Sequence, residues 1–169
     1  LLATQVAACA GAMLWGFCEF MRRGQWSVLG TMTGAIAGLI AVTPASGFVG
    51  FNGAMIIGAV AGVICFFSVV GVSLKKKIDD SLDVFALHGV GGIVGTVLTP
   101  VFATAAIAPV TATVLTNSIG ALAVMAYAGA GTWIILRVIG LIVPLRVDAE
   151  QEKVGLDIAQ HGEMLAPNA

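Results

Sequence analysis

Apolar residues run through this chain in long blocks separated by short polar segments. Two of the blocks, residues 24–74 and 84–136, contain no Asp, Glu, Lys or Arg. Each block is more than twice the length of about 20 residues that a helix needs to cross a bilayer. The pattern therefore predicts that each block crosses a membrane twice and folds back once.

Proline marks the fold-back points. Residues 43–53 carry Pro44 and three glycines, and residues 99–109 repeat the Thr-Pro pair and close with Pro109. A residue that precedes proline is pushed out of the helical region, which favours the end of a helix. The last span is longer than one perpendicular crossing requires, so we expect it to tilt or to continue past the membrane surface. The five predicted membrane helices are residues 2–20, 26–42, 53–74, 83–103 and 111–143.

Composition agrees with this pattern. Apolar residues make up 59% of the chain, charged residues only 10%, and the mean hydropathy is +1.02, whereas soluble domains carry about 25% charged residues. The predicted fold class is all-α, a polytopic membrane helix bundle over residues 1–146 with a polar tail over residues 147–169. The chain starts without an initiator Met or a charged leader, so we expect no signal peptide and a piece of a longer protein.

The basic residues predict the orientation in the membrane. All eight fall on the same side of the predicted spans, and the opposite loops, residues 43–52 and 99–110, carry no charge. By the positive-inside rule that side is the cytoplasm, so the amino end is predicted outside and the tail inside the cell membrane. The bases stand beside acids and the net charge is −1, so no nucleic-acid partner is expected. The basic residues are Arg22, Arg23, Lys75, Lys76, Lys77, Arg137, Arg146 and Lys153.

Cysteines and glycines both indicate packing. Cys9, Cys18 and Cys65 fall inside spans without a metal-ligand spacing, so we expect neither a disulfide nor a metal site. No nucleophile triad, metal cluster or phosphate-binding loop supports an enzyme, and no cofactor is expected. Three pairs of glycines four residues apart, in consecutive spans, favour close helix contacts. These pairs are Gly34 and Gly38, Gly58 and Gly62, and Gly91 and Gly95.

One histidine, His88, is the main candidate for function. Apart from Tyr127, it is the only titratable residue between positions 84 and 136. On a regular helix it shares one face with Gly92, Gly95 and Thr99, which suits a pore wall or a close helix contact equally well. A histidine inside a membrane either serves transport or simply bonds a neighbouring helix.

Two acids precede this helix. Asp80 is predicted as the N-cap, with Asp83 three residues on, inside the first turn, as its capping-box partner. The two acids either only cap the helix, or Asp83 also fixes the helices around a pore.

Three segments in order resemble the ammonium transporter (Amt/Mep/Rh) family. They are "GTMTGAIAGLIAVTPASGFVGFNGAMIIGAVAGVI" (residues 30–64), "DDSLDVFALHGVGGIVGTVLTPVFA" (residues 79–103) and "LRVDAEQEKVGLDIAQHGE" (residues 145–163). The resemblance is to the carboxyl-terminal part only, family helices seven to eleven and the tail. It implies five helices of an eleven-helix fold whose inverted repeat is incomplete, and it implies assembly as a homotrimer.

The resemblance also implies roles for residues. His88 matches one of two pore histidines, the other being absent here, while Ile36 and Val84 match apolar pore positions. The implied function is ammonium transport, in which ammonium loses its proton and ammonia crosses an apolar pore. Alternatives are an ammonium sensor and a non-conducting scaffold.

Further residues near the pore and in the tail are predicted to have supporting roles. Asp83, Gly92 and Gly95 are expected to be structural near the pore. In the tail, Gly155 is expected to allow a turn, and Gly155, Asp157 and His161 to belong to a regulatory segment. The implied partners are membrane lipid, ammonium or ammonia, sister subunits, and a PII-type signalling protein at the cytoplasmic face.

Overall fold

The structure, a computed structural model, describes residues 1–71, 80, 82–107 and 111–163. Within these ranges the chain is helical, and extended pairing is confined to one isolated bridge between Val49 and Ala103. The predicted all-helical fold class is therefore confirmed. Some predicted features lie outside the described residues: the end of the third span, the three lysines Lys75, Lys76 and Lys77, Pro109, and tail residues 164–169.

Five helices occupy the intervals predicted as spans. Among the described residues, three of them are long and apolar enough to cross a membrane, and the second is apolar but only 15 residues long. α1 is less apolar because it contains Gln5, Glu19, Arg22 and Arg23. The helices are α1 (Leu2–Arg23), α2 (Val28–Val42), α3 (Phe51–Gly71), a π-helical turn (Phe85–Gly89) that continues as α4 (Val90–Phe102), and α5 (Val114–Gly140); α6 (Ala149–Val154) and a second π-helical turn (Asp157–His161) follow.

The chain divides into two compact units, Leu1–Ala123 and Val124–Ala169. In the first unit, α1 packs on α2 and α3, and α4 also packs on α2 and α3. One buried cluster includes Ala7, Ala41 and Ile57, and a second lies around Trp15, Cys65, Phe66 and Leu87. α5 begins in the first unit and buries none of its residues.

The glycine pairs lie at helix contacts, as predicted. A Cβ on Gly38 of α2 or on Gly58 of α3 would overlap the carbonyl oxygen of Ala7 in α1. One turn along α1, Gly11 faces Gly34 and Gly62 in the same way. α1 is thus the central helix, with two small residues against which both neighbours approach at backbone distance. The third pair packs α4 on its neighbours: Gly91 lies against Cys65 and Ile40, and Gly95 against Ala41.

The described parts of both fold-back segments lie at one end of the first unit. α2 ends at Val42, one residue before the Thr43-Pro44 pair. The Val49–Ala103 bridge joins the two segments, and the Thr104 N–H donates to the Phe48 carbonyl at 2.9 Å. The second proline behaves differently, because α4 continues through Pro100 to Phe102.

Pro100 leaves one carbonyl of α4 without its helical donor. A proline has no N–H, so the carbonyl four residues earlier, that of Thr96, receives no bond from position 100. The side-chain amide of Asn117, near the start of α5, donates to this oxygen at 2.8 Å. A side chain from outside α4 therefore supplies the hydrogen bond that the Thr96 carbonyl lacks within the helix.

The second unit contains the rest of α5 and the tail. Asp148 caps α6 by accepting from the Gln151 N–H at 2.9 Å, and Arg146 pairs with Glu152 through two hydrogen bonds at 2.6 and 2.9 Å. Gly155 follows α6 with φ 96°, a backbone conformation that glycine adopts without strain. Gly155 separates α6 from the second π-helical turn, and its role in allowing a turn stays a prediction.

Candidate functional site

His88 lies on the π turn Phe85–Gly89, with its side chain exposed. The residues just before it, Ala86 and Leu87, are buried at 7% and 6% exposure. Leu87 belongs to the cluster around Trp15 and Phe66. The histidine thus stands at the edge of the apolar bundle and outside its core.

Asp80 fixes the start of this segment. Its carboxylate accepts from the N–H groups of Val84 and Phe85 at 2.8 and 2.9 Å. The predicted capping role of Asp80 is present, although the bonds reach four and five residues ahead instead of two or three.

Asp83 precedes the helix, so its predicted place inside the first turn is wrong. The backbone of Asp83 has φ 56°, a left-handed conformation that stops a helix and that aspartate tolerates better than most residues. Its carbonyl oxygen accepts from the Leu87 N–H at 2.9 Å. Asp83 is the residue at which the chain turns into the helix.

The predicted common face of His88, Gly92, Gly95 and Thr99 does not form. Gly95 and Thr99 are buried, and a Cβ on Gly95 would overlap the Ala41 carbonyl of α2. His88 is exposed, and the space beside Gly92 is open. Gly95 and Thr99 therefore belong to a helix contact, while His88 and Gly92 face outward.

Ile36 lies at the level of His88. α2 and α4 run in the same direction, because Leu87 shares a buried cluster with Ala37, whereas Leu98 packs against the cluster that contains Val42. Ile40 lies beside Gly91. Ile36 is one turn before Ile40, and His88 is about one turn before Gly91. Both side chains are exposed, Ile36 at 44%.

Val84 is exposed at 51%, at the amino end of the same segment as His88. The described residues thus place Ile36, Val84 and His88 on the exposed surfaces of two contacting elements. Gly95 stands apart from them, in the contact with α2.

A buried carboxylate, Glu19, was not predicted from the sequence. It is 5% exposed and accepts from the Ser27 N–H at 3.2 Å and from the Ser27 hydroxyl at 2.9 Å. Arg23 lies 3.5 Å from it. A buried carboxylate requires such partners, since it loses hydration. The available signal was a lone acid near the end of an apolar span, eight residues before a Ser at the start of the next.

Ser27 links Glu19 to the start of α2. The Ser27 hydroxyl caps α2 by accepting from the Gly30 N–H at 2.9 Å. A Cβ on Gly30 would overlap the Glu19 carboxylate. The turn between α1 and α2 is thus held by a compact polar cluster.

The three tail residues predicted to be regulatory, Gly155, Asp157 and His161, lie close to one another along the chain. Gly155 precedes the second π turn, which begins at Asp157 and ends at His161. All three are far in sequence from His88.

The chemistry that His88 offers is that of an imidazole beside apolar side chains. A neutral imidazole has one donor and one acceptor. In the part of the chain that the structure describes, no three His, Cys, Asp or Glu residues come together as a metal site, and the three cysteines are free. The arrangement suits the passage of a small polar molecule along an apolar wall.

Comparison with known proteins gives a consistent result. The Ammonium Transporter Family matches over residues 1–166. The ammonium transporter of Aquifex aeolicus is 41% identical over 96% of this chain, which spans 40% of the relative's length. The crystal structure of Saccharomyces cerevisiae Mep2 matches with a TM-score of 0.80 at 33% identity, over 94% of this chain and 39% of that one. A solved structure named Sensor Amt Protein matches with a TM-score of 0.81 at 25% identity, over 94% of this chain and 40% of that one.

Proposed function

Since the chain belongs to the ammonium transporter family, we propose that it is the carboxyl-terminal part of a multi-pass membrane protein that transports ammonium. The chain spans 40% of the length of its Aquifex relative, so activity belongs to the longer protein. The observation that carries the proposal at the level of residues is the exposed His88 on an apolar bundle, level with Ile36.

The cost of moving a charged ion into an apolar path explains how such a surface could select ammonium over other monovalent cations. An ion that enters hydrocarbon loses its hydration at a cost of several kcal/mol. Ammonium alone among common monovalent cations has a proton to give up, and ammonia can then cross. We propose that the proton passes to water at the entrance and that the His88 imidazole offers ammonia one donor and one acceptor on the way.

The other site residues have supporting roles in this proposal. Ile36 and Val84 form apolar wall beside His88, and Gly92 leaves open space for it. Gly95 holds α4 against α2. Asp83 sets the entry into the π turn.

A segment outside this chain supplies the opposite wall of the pore, with the second histidine. We also propose a homotrimer, with the amino end of this piece outside the cell and the tail in the cytoplasm. There the tail, with Gly155, Asp157 and His161, would meet a PII-type signalling protein. Binding of such a protein to tail variants tests this separately from transport.

The sensor alternative receives less support. The relatives of this chain at 35–41% identity are named ammonium transporters, whereas the protein named a sensor is 25% identical. Transport is therefore the function we propose, and enzymes are not among these named relatives.

Substitution of His88 in the complete protein tests the proposal. His88→Ala removes a hydrogen-bond partner from an apolar path, which costs about 1–3 kcal/mol and should lower methylammonium uptake roughly five- to 150-fold. His88→Asp adds an ionisable carboxylate that attracts cations, so K⁺ leak or altered proton coupling is expected. Uptake and ammonium-evoked current are normalised to assembled protein in the membrane.

A matched control is Tyr127→Ala. Tyr127 is the other titratable residue of the charge-free stretch and is 82% exposed on α5. It should retain uptake. If both His88 variants behave like the parent protein, His88 is a packing residue and the proposed mechanism fails.

A further inference from the structure

The π turn Phe85–Gly89 interrupts a segment that is otherwise α-helical. The Val90 N–H bonds to the carbonyls of Leu87 and Phe85, and the second of these bonds spans five residues. A π turn holds one residue more than an α turn and often occurs at functional sites. Residues at and before it are therefore rotated relative to α4, as if one residue had been inserted.

An unbroken α-helix would place His88 in a helix contact. At about 100° per residue, His88 would point within about 20° of Gly95, seven residues on. Gly95 lies against the Ala41 carbonyl of α2. The same arithmetic places Ala86 about 180° from Gly95, on the opposite side of the helix.

The observed burial is the reverse. Ala86 and Leu87 are buried, and His88 is exposed. Because the π turn adds one residue, Leu87 occupies the position around the helix axis that His88 would have in an α-helix, and it packs near Trp15 and Phe66. The His88 side chain is rotated by about 100° around the axis from that position. The exposed histidine is thus a direct consequence of the π turn.

We propose that the π turn is a positioning element that turns His88 out of the α2–α4 contact and onto the exposed side of the bundle, level with Ile36. Its importance for transport rests on the proposed function, but the orientation does not. The contact itself favours this arrangement: beside Gly95 there is no room even for a Cβ, and the apolar Leu87 fills the neighbouring buried space.

Two single-residue deletions in the full-length protein separate the effect of the His88 orientation from the effect of a shorter segment before α4. Each removes the extra residue and should restore an α-helix. Deletion of Gly89 leaves Ala86, Leu87 and His88 in the rotational places that they now have relative to α4. Deletion of Phe85 returns His88 to the α-helical register, where it would face α2.

Orientation is read first from thiol reactivity. His88→Cys is introduced in each background, with native cysteines replaced by alanine, and its reaction with methylmercury chloride, a neutral thiol reagent small enough to enter a narrow path, is timed. We expect fast reaction in the parent and in the Gly89 deletion. In the Phe85 deletion we expect reaction about tenfold slower or more, because a buried thiol reacts only after local opening. Equal reactivity in the two deletions would overturn the proposal.

A second measurement needs no deletion. In the undeleted protein, Ala86→Cys should react about tenfold more slowly than His88→Cys, because the π turn buries position 86. A regular α-helix predicts the opposite order, and that order would also overturn the proposal.

Methylammonium uptake by the deletion variants gives the functional consequence. We expect uptake to be retained without Gly89 and lost without Phe85. If reactivity follows the expected order but uptake does not depend on it, the π turn positions His88 as we infer and the proposed transport role of His88 fails.

Discussion

At the scale of single residues, Glu19 is the clearest case of a polar group that the apolar bundle must satisfy. Its carboxylate is buried, and Ser27 supplies both a backbone and a hydroxyl donor. Arg23 is exposed, so its pairing with Glu19 contributes little. The stability of the α1–α2 turn therefore depends mainly on the Glu19–Ser27 bonds.

Glu19→Ala should destabilise the complete protein by about 1–3 kcal/mol, because two donors lose a buried acceptor. Glu19→Gln keeps one acceptor oxygen and should be milder, and Arg23→Ala milder still. The unfolding midpoint of detergent-solubilised protein, followed by tryptophan fluorescence, measures all three. An Arg23→Ala variant that is as unstable as Glu19→Ala would show that the ion pair, and not the Ser27 bonds, holds the turn.

Gly30→Ala should also be destabilising. A Cβ at this position would overlap the Glu19 carboxylate, so the carboxylate must leave its place between the Ser27 donors. Overpacking of this kind costs about 1–3 kcal/mol. Gly120→Ala is the matched control, since the space beside Gly120 in α5 is open. Equal unfolding midpoints for the two variants would contradict the prediction.

The residue scale also shows what sequence alone can predict. His88 and Asp80 stood out because ionisable residues are rare in such a chain, and Asp80 does cap the helix. Glu19 was missed because it lies close to the predicted end of its span, where an acid at the membrane surface requires no partner. Only the path of the chain back through Ser27 makes it a buried group.

At the scale of helices, Pro100 and Asn117 form a compensating pair. Asn117→Ala should destabilise the protein by about 0.6–1.7 kcal/mol, the range for hydrogen bonds between membrane helices. In a Pro100→Ala background the same change should cost less, because an alanine at position 100 has an N–H that can bond the Thr96 carbonyl. A double-mutant cycle on unfolding midpoints measures this coupling. Additive effects of the two changes would show that the Asn117 bond does not replace the helical one.

Small residues make α1 the central helix. Gly38→Ala and Gly58→Ala should each destabilise the bundle by about 1–3 kcal/mol, because each Cβ would overlap the Ala7 carbonyl. Gly131→Ala is a control on α5, where the neighbouring space is open. Unfolding midpoints measured side by side test the prediction, which fails if all three variants match.

Helix positions were predictable from charge-free blocks and prolines, whereas helix register was not. The period of 3.6 residues placed His88 and Gly92 on one face with Gly95 and Thr99, but only Gly95 and Thr99 of this set are buried, and the space beside Gly92 is open. For His88 the prediction fails because a π turn adds a residue, and no residue type in Phe85–Gly89 marks such a turn in the sequence. The fate of Pro100 was equally hidden, because it depends on Asn117 from another helix.

At the scale of the whole molecule, much of the surface of this piece suits contact with other protein. Ile36, Val84 and His88 are exposed, and α5 buries none of its residues. A single wall with an exposed histidine does not enclose a path across a bilayer. Polar groups that face hydrocarbon are costly, so we expect the remainder of the proposed longer protein to cover this wall.

The 169 residues alone should therefore not conduct. Liposomes that contain only this chain should take up labelled methylammonium no faster than empty liposomes, since one wall provides neither an enclosed path nor the second histidine of the proposed pore. Liposomes with the complete protein are the positive control, and far-ultraviolet circular dichroism verifies that the piece is helical in lipid. Uptake above the empty-liposome rate would mean that several copies of this wall assemble a path by themselves. The missing segment would then be unnecessary for conduction, contrary to the proposal.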